Sequence, residues 1–457
     1  MSKGISKGIS IFLAVMFVFT LFLTGCGQEQ AANPEVTKEE TKAPEVVKEE
    51  KKEIPKIRFA HNWTGGDAKA AVYEAALNEF AEKNKDKFEL VFEANLVTAH
   101  ADKMKVDIAS DNIADVFLYW VGPSNLLPLV TNKKIVTAEE FSAASPVTKI
   151  EQWSESTYKD LTIEGQKYGF PVEAFKGFFL ANKSLFDKYG LKYPVTYAEL
   201  LDVSKVFKEN GIVPLCVGSK GGNPGHFFLD AITYQFDKGY DDAMNIATTN
   251  QFNTPATLKG AQLVEEMVKN KMFPSDTIAN GDWGPSLTIY NQSKAAMTYT
   301  FPWMIGAIDP AVKENSEIIP FPKMDGAVND PANFYLGGVA MGYQVSAKAF
   351  ADPAKKDAII EFVDYLVSDE QFSVLAKASM FPAKNAKLDT NGLDSTYIKV
   401  NEYTSKQKDM YFGAYTTMPT PALGDLRMSS IDELFAGALT AQEFVEKVQK
   451  EFDKLKK

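Results

Sequence analysis

The sequence predicts an α/β protein in which short apolar strands alternate with amphipathic helices. Three observations carry this reading. Strand-like and helix-like runs follow one another from residue 56 to the end of the 457-residue chain. One strand candidate, Asp115-Val-Phe-Leu-Tyr-Trp120, is continuously apolar after its first residue, as strands buried on both faces of a parallel sheet are. Roughly 400 residues beyond a charged N-terminal segment suffice for two or more domains with full cores.

The elements follow in order. Lys56-Ile-Arg-Phe-Ala60 alternates like a strand. Ala68 to Asn84 places Val72, Ala76, Leu77 and Phe80 at helical spacing. Phe88-Glu-Leu-Val-Phe92 is a second strand and residues 115–120 a third. Thr196-x-x-Glu199 is a capping box ahead of Leu200, Val203 and Phe207. Thr254-Pro255 puts a cap and an N1 proline before Leu258, Ala261 and Val264. Ile359, Phe362, Val363 and Leu366 make an apolar stripe. Ser368-x-x-Gln371 and Thr440-x-x-Glu443 are further capping boxes, the second opening a helix through Phe444, Val445 and Val448. The alternation predicts parallel-rich sheets, and no internal repeat is visible.

The N-terminus has a different character. Lys3 and Lys7 precede an apolar block from Ile11 to Leu23, closed by Leu23-Thr-Gly-Cys26. The block is short for a membrane span and reads as an export signal over residues 1–25. Its ending resembles a bacterial lipobox, which implies cleavage before Cys26 and lipidation of that cysteine. Residues 26–55 mix Glu and Lys with Pro34, Pro44 and Pro55 and hold no aromatic residue. Such a segment buries too little apolar surface to fold and reads as a disordered, charged tether with a reach on the order of 30 Å.

The formal charge is −11, and the leader's two lysines make the remainder more acidic still. That excludes a nucleic-acid partner, which would need a basic face. The only cysteines are Cys26 and Cys216, so a lipidated Cys26 leaves no internal disulfide. Cys216 lies in the apolar run Ile212–Val217 and reads as an inert core residue. His61, His100 and His226 show no metal-ligand spacing, and neither a GxSxG elbow nor a P-loop occurs. Gly218-Ser-Lys-Gly-Gly222 reads as a flexible turn. No cofactor and no metal are expected. Two carboxylates suffice for a glycosidase, so a secreted carbohydrate-active enzyme stays open, as does a surface adhesin.

Binding chemistry is better supplied. Aromatic residues make up 12% of the chain. Several sit among polar residues in predicted loops: His61-Asn-Trp63-Thr-Gly-Gly-Asp67, Tyr119-Trp120-Val-Gly-Pro, Gly281-Asp-Trp283-Gly and Phe301-Pro-Trp303. Ligands of open α/β sheets bind at the carboxyl ends of strands, where such loops lie. An indole covers the C–H face of a sugar while carboxylates and amides bond its hydroxyls. Trp153 reads instead as half-buried structure.

A series of short motifs then falls in one order: Ala114-Asp-Val-Phe117, Gly165-Gln-Lys-Tyr-Gly-Phe-Pro-Val-Glu173, Leu180 to Phe186, Tyr193-Pro-Val-Thr-Tyr197, Ser293 to Met297 with Phe301-Pro-Trp303, Leu336-Gly-Gly338, Ala358 to Leu375, and Phe381-Pro-Ala383. Together, behind a lipobox, they resemble extracellular solute-binding protein family 1, the maltose- and oligosaccharide-binding lipoproteins of ABC importers. Phe301 stands where the family has glycine, and Ala181 where it has tyrosine. The resemblance implies a two-lobed, type II periplasmic-binding-protein-like fold with ligand in the cleft between lobes joined by crossover strands. Residues 56–171 and 322–375 would form one lobe, and 172–321 and 376–457 the other. It makes Trp303 a stacking residue and Glu173, just past a crossover at Phe170-Pro171, an acceptor for sugar hydroxyls. Trp120, Tyr119, Trp63, Asp67 and Trp283 join them as ligand-binding candidates, with Gly338 letting backbone approach the ligand. Asp115 is either structural or a ligand contact, and Arg427 reads as an ion pair on a lobe surface ahead of a ligand contact. The implied protein is a monomeric binder and not an enzyme. Its partners are a carbohydrate, permease subunits, and the outer face of the cytoplasmic membrane through its lipid. A non-sugar solute is the alternative ligand.

Overall fold

A computed structural model describes residues 54–455 apart from 66 and 68. The export signal, Cys26 and nearly all of the tether lie outside the described residues. The larger of two principal sheets has seven strands. Lys56–His61 lies between Glu89–Ala94 and Val116–Trp120, parallel to both. The long strand Phe334–Val345 then pairs antiparallel with Val116–Trp120 and with Phe170–Lys176. Phe381–Pro382 pairs with Phe170–Lys176, and Asp409–Tyr411 pairs with the start of the long strand. The smaller sheet runs Ser316–Ile319, Phe178–Asn182, Ala295–Thr300, Val213–Leu215, with only the last pairing parallel.

The parallel expectation therefore holds for the first three strands and fails for most of the rest. Phe170–Lys176 leaves the larger sheet for the smaller, whereas Phe334–Val345 comes back from it. Neighbouring strands that carry the chain out and back must be antiparallel.

The change of sheet falls at Gly177, between Lys176 and Phe178, rather than at Phe170-Pro171. A Cβ on Gly177 would lie 2.3 Å from the Tyr299 hydroxyl, so glycine alone permits this approach. The strands at 381–382 and 409–411 both join the larger sheet. Two extensive apolar cores lie against the two sheets.

Local signals were realised closely. The first helix is Ala70–Asn84, burying Tyr73 and Leu77. Thr196 and Glu199 exchange both capping bonds, at 3.2 and 3.0 Å. Thr440 and Glu443 do the same at 3.2 and 2.9 Å. Ser368 caps the N–H of Gln371 at 3.1 Å, but the Gln371 amide is buried and returns no bond. Asp115 is structural: it accepts from the Arg58 N–H at 2.8 Å and from the Lys355 ammonium at 2.9 Å. Cys216 is fully buried, and burial pushes its thiol up to about 12. Trp153 is more buried than expected, its Nε1 donating to the Pro171 carbonyl at 2.8 Å. Among the described residues, no helix is long and apolar enough to cross a membrane.

Candidate ligand-binding site

One wall of the site is aromatic. Phe301-Pro-Trp303 follows the Ala295–Thr300 strand, and Pro302 opens a short 3-10 turn through Ala307. The Phe301 and Trp303 rings stack at 4.9 Å and 6°. Trp283 opens the helix Trp283–Asn291, where the Asp282 carboxylate accepts from its N–H at 2.8 Å. Its ring meets Trp303 at 5.2 Å and 83°. Phe227, on the helix Gly225–Thr233, lies 4.4 Å from Phe301. Phe175, on the strand Phe170–Lys176, lies 5.7 Å from Phe301 and 6.1 Å from Trp303. Phe301 is fully buried, whereas Trp303 keeps part of its surface. Its Nε1 is nevertheless buried, with no hydrogen-bond partner among the described residues. Buried indole N–H groups ordinarily have one. An orphan donor beside exposed ring surface suits an acceptor on a ligand lying against the ring.

The other wall is charged. Lys69, just ahead of the first helix, is buried, with its ammonium 3.1 Å from Glu173 and 3.3 Å from Asp67. It also lies 5.5 Å over the Trp63 ring. Asp67 accepts from the Lys69 N–H at 2.8 Å, which closes the loop on itself. Trp63 in turn packs edge-on against Tyr73 at 4.6 Å. Burial disfavours the Lys69 ammonium, but the Glu173 and Asp67 carboxylates reverse this and raise its pKa. Burial also dominates at Glu173, raising its pKa against the pull of Lys69.

The two walls meet along one strand and one turn. Glu173 and Phe175 are two apart in a strand and share a face. Tyr415, in the turn Ala414–Thr417, packs 5.6 Å from Phe227 and 5.4 Å from His226. Burial, then the carboxylates of Asp160, Asp230 and Glu173, push its phenol far above the usual range. The hydroxyl stays protonated, a neutral donor in acidic surroundings. Asp160 is 7% exposed, and one of its carboxylate oxygens has no partner among the described residues. Burial raises its pKa to about 6, opposed by Lys159 and a hydrogen bond with Thr416. Burial holds His226 well below its usual pKa, so the ring is neutral. Asp230 is held by Arg427 at 2.5 Å, both nearly inaccessible. Arg427 thus forms an interior ion pair, not the surface pair expected.

The structure brings Trp303 and Trp283 into contact, and it gathers Glu173, Asp67 and Trp63 around Lys69. Tyr119 is 5% exposed, packed on Phe117 and Trp120, and Trp120 lies 5.7 Å from His100. Gly338 has φ +146°, and a Cβ there would come 2.8 Å from the Phe412 ring and 3.3 Å from Phe175. Its missing side chain makes room for these rings.

Sequence reasoning passed over Lys69, Phe175, Phe227 and Tyr415. The first two had a signal, each being two residues past a named candidate. Phe227 and Tyr415 had none, since only tertiary packing brings them here. The glycine-rich turn before Phe227 is also better held than expected. Asp432 accepts from Ser219 Oγ and from the N–H groups of Gly221 and Gly222 at 2.6, 2.7 and 2.8 Å.

The chain is similar in sequence and fold to known binding proteins. A probable sugar-binding periplasmic protein of Rhizobium meliloti is 29% identical over 142 residues, which is 29% of this chain and 31% of that protein. A galactooligosaccharide-binding protein of Bacillus subtilis is 26% identical over 207 residues, 42% of this chain and 45% of that protein. These matches therefore span less than half the length of either relative. A structure from work on xylan utilization by the thermophilic bacterium Caldanaerobius polysaccharolyticus superposes with a TM-score of 0.75 at 25% identity, covering 87% of this chain and 99% of that one. The fold is that of the type II solute-binding proteins. The family model for bacterial extracellular solute-binding proteins matches residues 62–371, more than half of the sequence. The chain belongs to the bacterial extracellular solute-binding protein family.

Proposed function

We propose that the protein is the substrate-binding lipoprotein of an ABC importer, capturing a carbohydrate, most simply an oligosaccharide, and handing it to the membrane permease. The observation that carries this reading is Trp303: a partly exposed indole backed by Phe301, with an orphan buried N–H, and packed against Phe175 on the strand that also carries Glu173. A ring face for sugar C–H groups and an edge of neutral donors and carboxylates are what a hydroxyl-rich ring needs. The names of the relatives, which speak of sugars and a galactooligosaccharide, support it.

Trp303 and Trp283 are assigned to the ring faces of the ligand, and Glu173 and Asp67 to its hydroxyls, with Trp63 backing the charged group. Tyr119, Trp120 and Gly338 are assigned more distant places in the same cleft. The lobes are taken as residues 56–171 with 322–375 and residues 172–321 with 376–457, with the strands Phe170–Lys176 and Phe334–Val345 passing between them. Closure on ligand is a hinge motion, and the ligand's preference for the closed form carries the signal to the permease. Cys26, lipidated, and the tether to residue 55 would hold a monomer on the outer face of the cytoplasmic membrane. The chain binds and does not catalyse.

The test is a thermal-shift panel of mono- and oligosaccharides on the full-length protein. A sugar that binds the folded state raises the melting temperature with concentration. Silence across the whole panel overturns the carbohydrate reading, and shortened oligosaccharides after incubation overturn the assignment as a binder.

A further inference from the structure

Resting on that carbohydrate reading, we infer that Asp230 is a positioning residue for the site: it fixes the backbone that carries Tyr415 to the ligand, while Arg427 keeps its charge paired. Asp230 lies on the helix Gly225–Thr233, three residues past Phe227. It is 2% exposed, and its two carboxylate oxygens have different partners. Oδ2 accepts from the Ala414 N–H at 3.0 Å, where the turn Ala414–Thr417 begins. Oδ1 accepts from Arg427 Nη2 at 2.5 Å. Nε and Nη1 of Arg427 are buried with no partner among the described residues, so Asp230 is the contact that holds the guanidinium there. A carboxylate this deep persists only when a cation and a donor both meet it.

The ring of Tyr415 follows the backbone that Asp230 holds. A Cβ on Gly413 would lie 2.7 Å from the Tyr415 ring and 3.5 Å from the Phe227 ring, so both rings sit directly over this stretch of chain. The Tyr415 ring meets Phe227 at 5.6 Å and His226 at 5.4 Å. The rest of the turn has little room to move. Thr417 Oγ1 donates to the Ala243 carbonyl at 2.8 Å, and a Cβ on Gly122 would come 3.0 Å from the Thr416 carbonyl oxygen.

One carboxylate therefore couples two members of the aromatic wall. It fixes Phe227 through its own helix and Tyr415 through the Ala414 N–H. A binding group is placed only as well as the groups behind it are held. Without an acceptor for Ala414, the turn loses its tie to the helix, and the Tyr415 ring and hydroxyl drift from where a sugar meets them.

The test removes the Ala414 bond without stranding a charge. Arg427→Met is combined once with Asp230→Asn, which keeps an oxygen for the Ala414 N–H, and once with Asp230→Ala, which does not. Both full-length double variants are titrated by calorimetry with neutral trisaccharides of glucose, galactose and xylose. The variant with Asp230→Ala should bind ~10-fold more weakly than the one with Asp230→Asn, and adding Tyr415→Ala to both should shrink that gap to about twofold or less. Equal affinities overturn the inference and leave the carbohydrate reading standing. So does a gap that keeps its full size without Tyr415, because Asp230 would then act on packing alone. Hydrogen exchange reads the same tie without ligand. The Ala414 amide should exchange at least ~10-fold faster with Asp230→Ala than with Asp230→Asn, while the helix Ala441–Leu455 exchanges alike in both. Equal exchange at Ala414 overturns the inference. Silence of the parent protein toward all three sugars counts against the carbohydrate reading instead, and the exchange rates still decide whether Asp230 holds the turn.

Discussion

The charged and aromatic walls of the site are stabilised in opposite ways. Around Lys69, Glu173 and Asp67 hold one buried ammonium, and no member is satisfied without the others. Around Trp303, the rings of Phe175, Phe227, Trp283 and Phe301 pack on one another without any charge. The first kind of wall is all-or-none, since removing one partner strands a buried charge. The second is graded, since each ring contributes its own area and stacking. The charged wall should therefore govern stability, and the aromatic wall affinity.

The sharpest way to break the contrast is Lys69→Met. It leaves Glu173 buried without its partner and should cost about 3–5 kcal/mol of stability, read by urea denaturation. Lys69→Met with Glu173→Met should recover most of the loss. A single variant within about 1 kcal/mol of the parent would mean that the pair is not what holds this wall. Next in size is Trp303→Ala. Affinity for a bound sugar should fall at least ~100-fold, near 3 kcal/mol, with a smaller change in melting temperature. An unchanged affinity would remove Trp303 from the site.

The third effect is electrostatic and depends on pH. Unfolded, Asp160 releases its proton near pH 3.8, but in the folded protein near pH 6. Between these values the folded state binds more protons. The stability contributed by protonated Asp160 is thus full below the lower value and lost as pH rises through about 6. Asp160→Asn should be about 2–3 kcal/mol more stable than the parent near pH 8, with the difference vanishing toward pH 4. A pH-independent difference would contradict the buried state of Asp160. The smallest effect is Tyr415→Phe, which removes one neutral donor. It should weaken sugar binding about fivefold, near 1 kcal/mol, and leave the fold intact.

Legibility in the sequence followed the same division. Helix starts at Thr196, Thr254 and Thr440 were readable because a cap is a contact between residues three apart. The Phe301-Pro-Trp303 segment was readable because a proline and two rings within three residues announce a turn carrying exposed surface. Lys69 had only its place two residues past Asp67 as a signal, because its pairing with Glu173 joins residues more than a hundred apart. Tyr415 was invisible for the same reason, reaching Phe227 only through the folded chain. The sheets were misread as parallel-rich because alternation reveals strands and helices but not which strands carry the chain between sheets. The packing at Gly338 was not legible either, because the Phe412 and Phe175 rings that a Cβ would meet come from distant parts of the chain.

The most direct test is a crystal structure of the full-length protein with the neutral oligosaccharide that gives the largest thermal shift. A sugar ring lying against Trp303, with its hydroxyls toward Glu173, Asp160 and Tyr415, is the result predicted. A sugar seated elsewhere, for example in the surface groove of about 620 Å³ lined by Phe236, Lys238, Thr254, Lys259 and Val328, would contradict it.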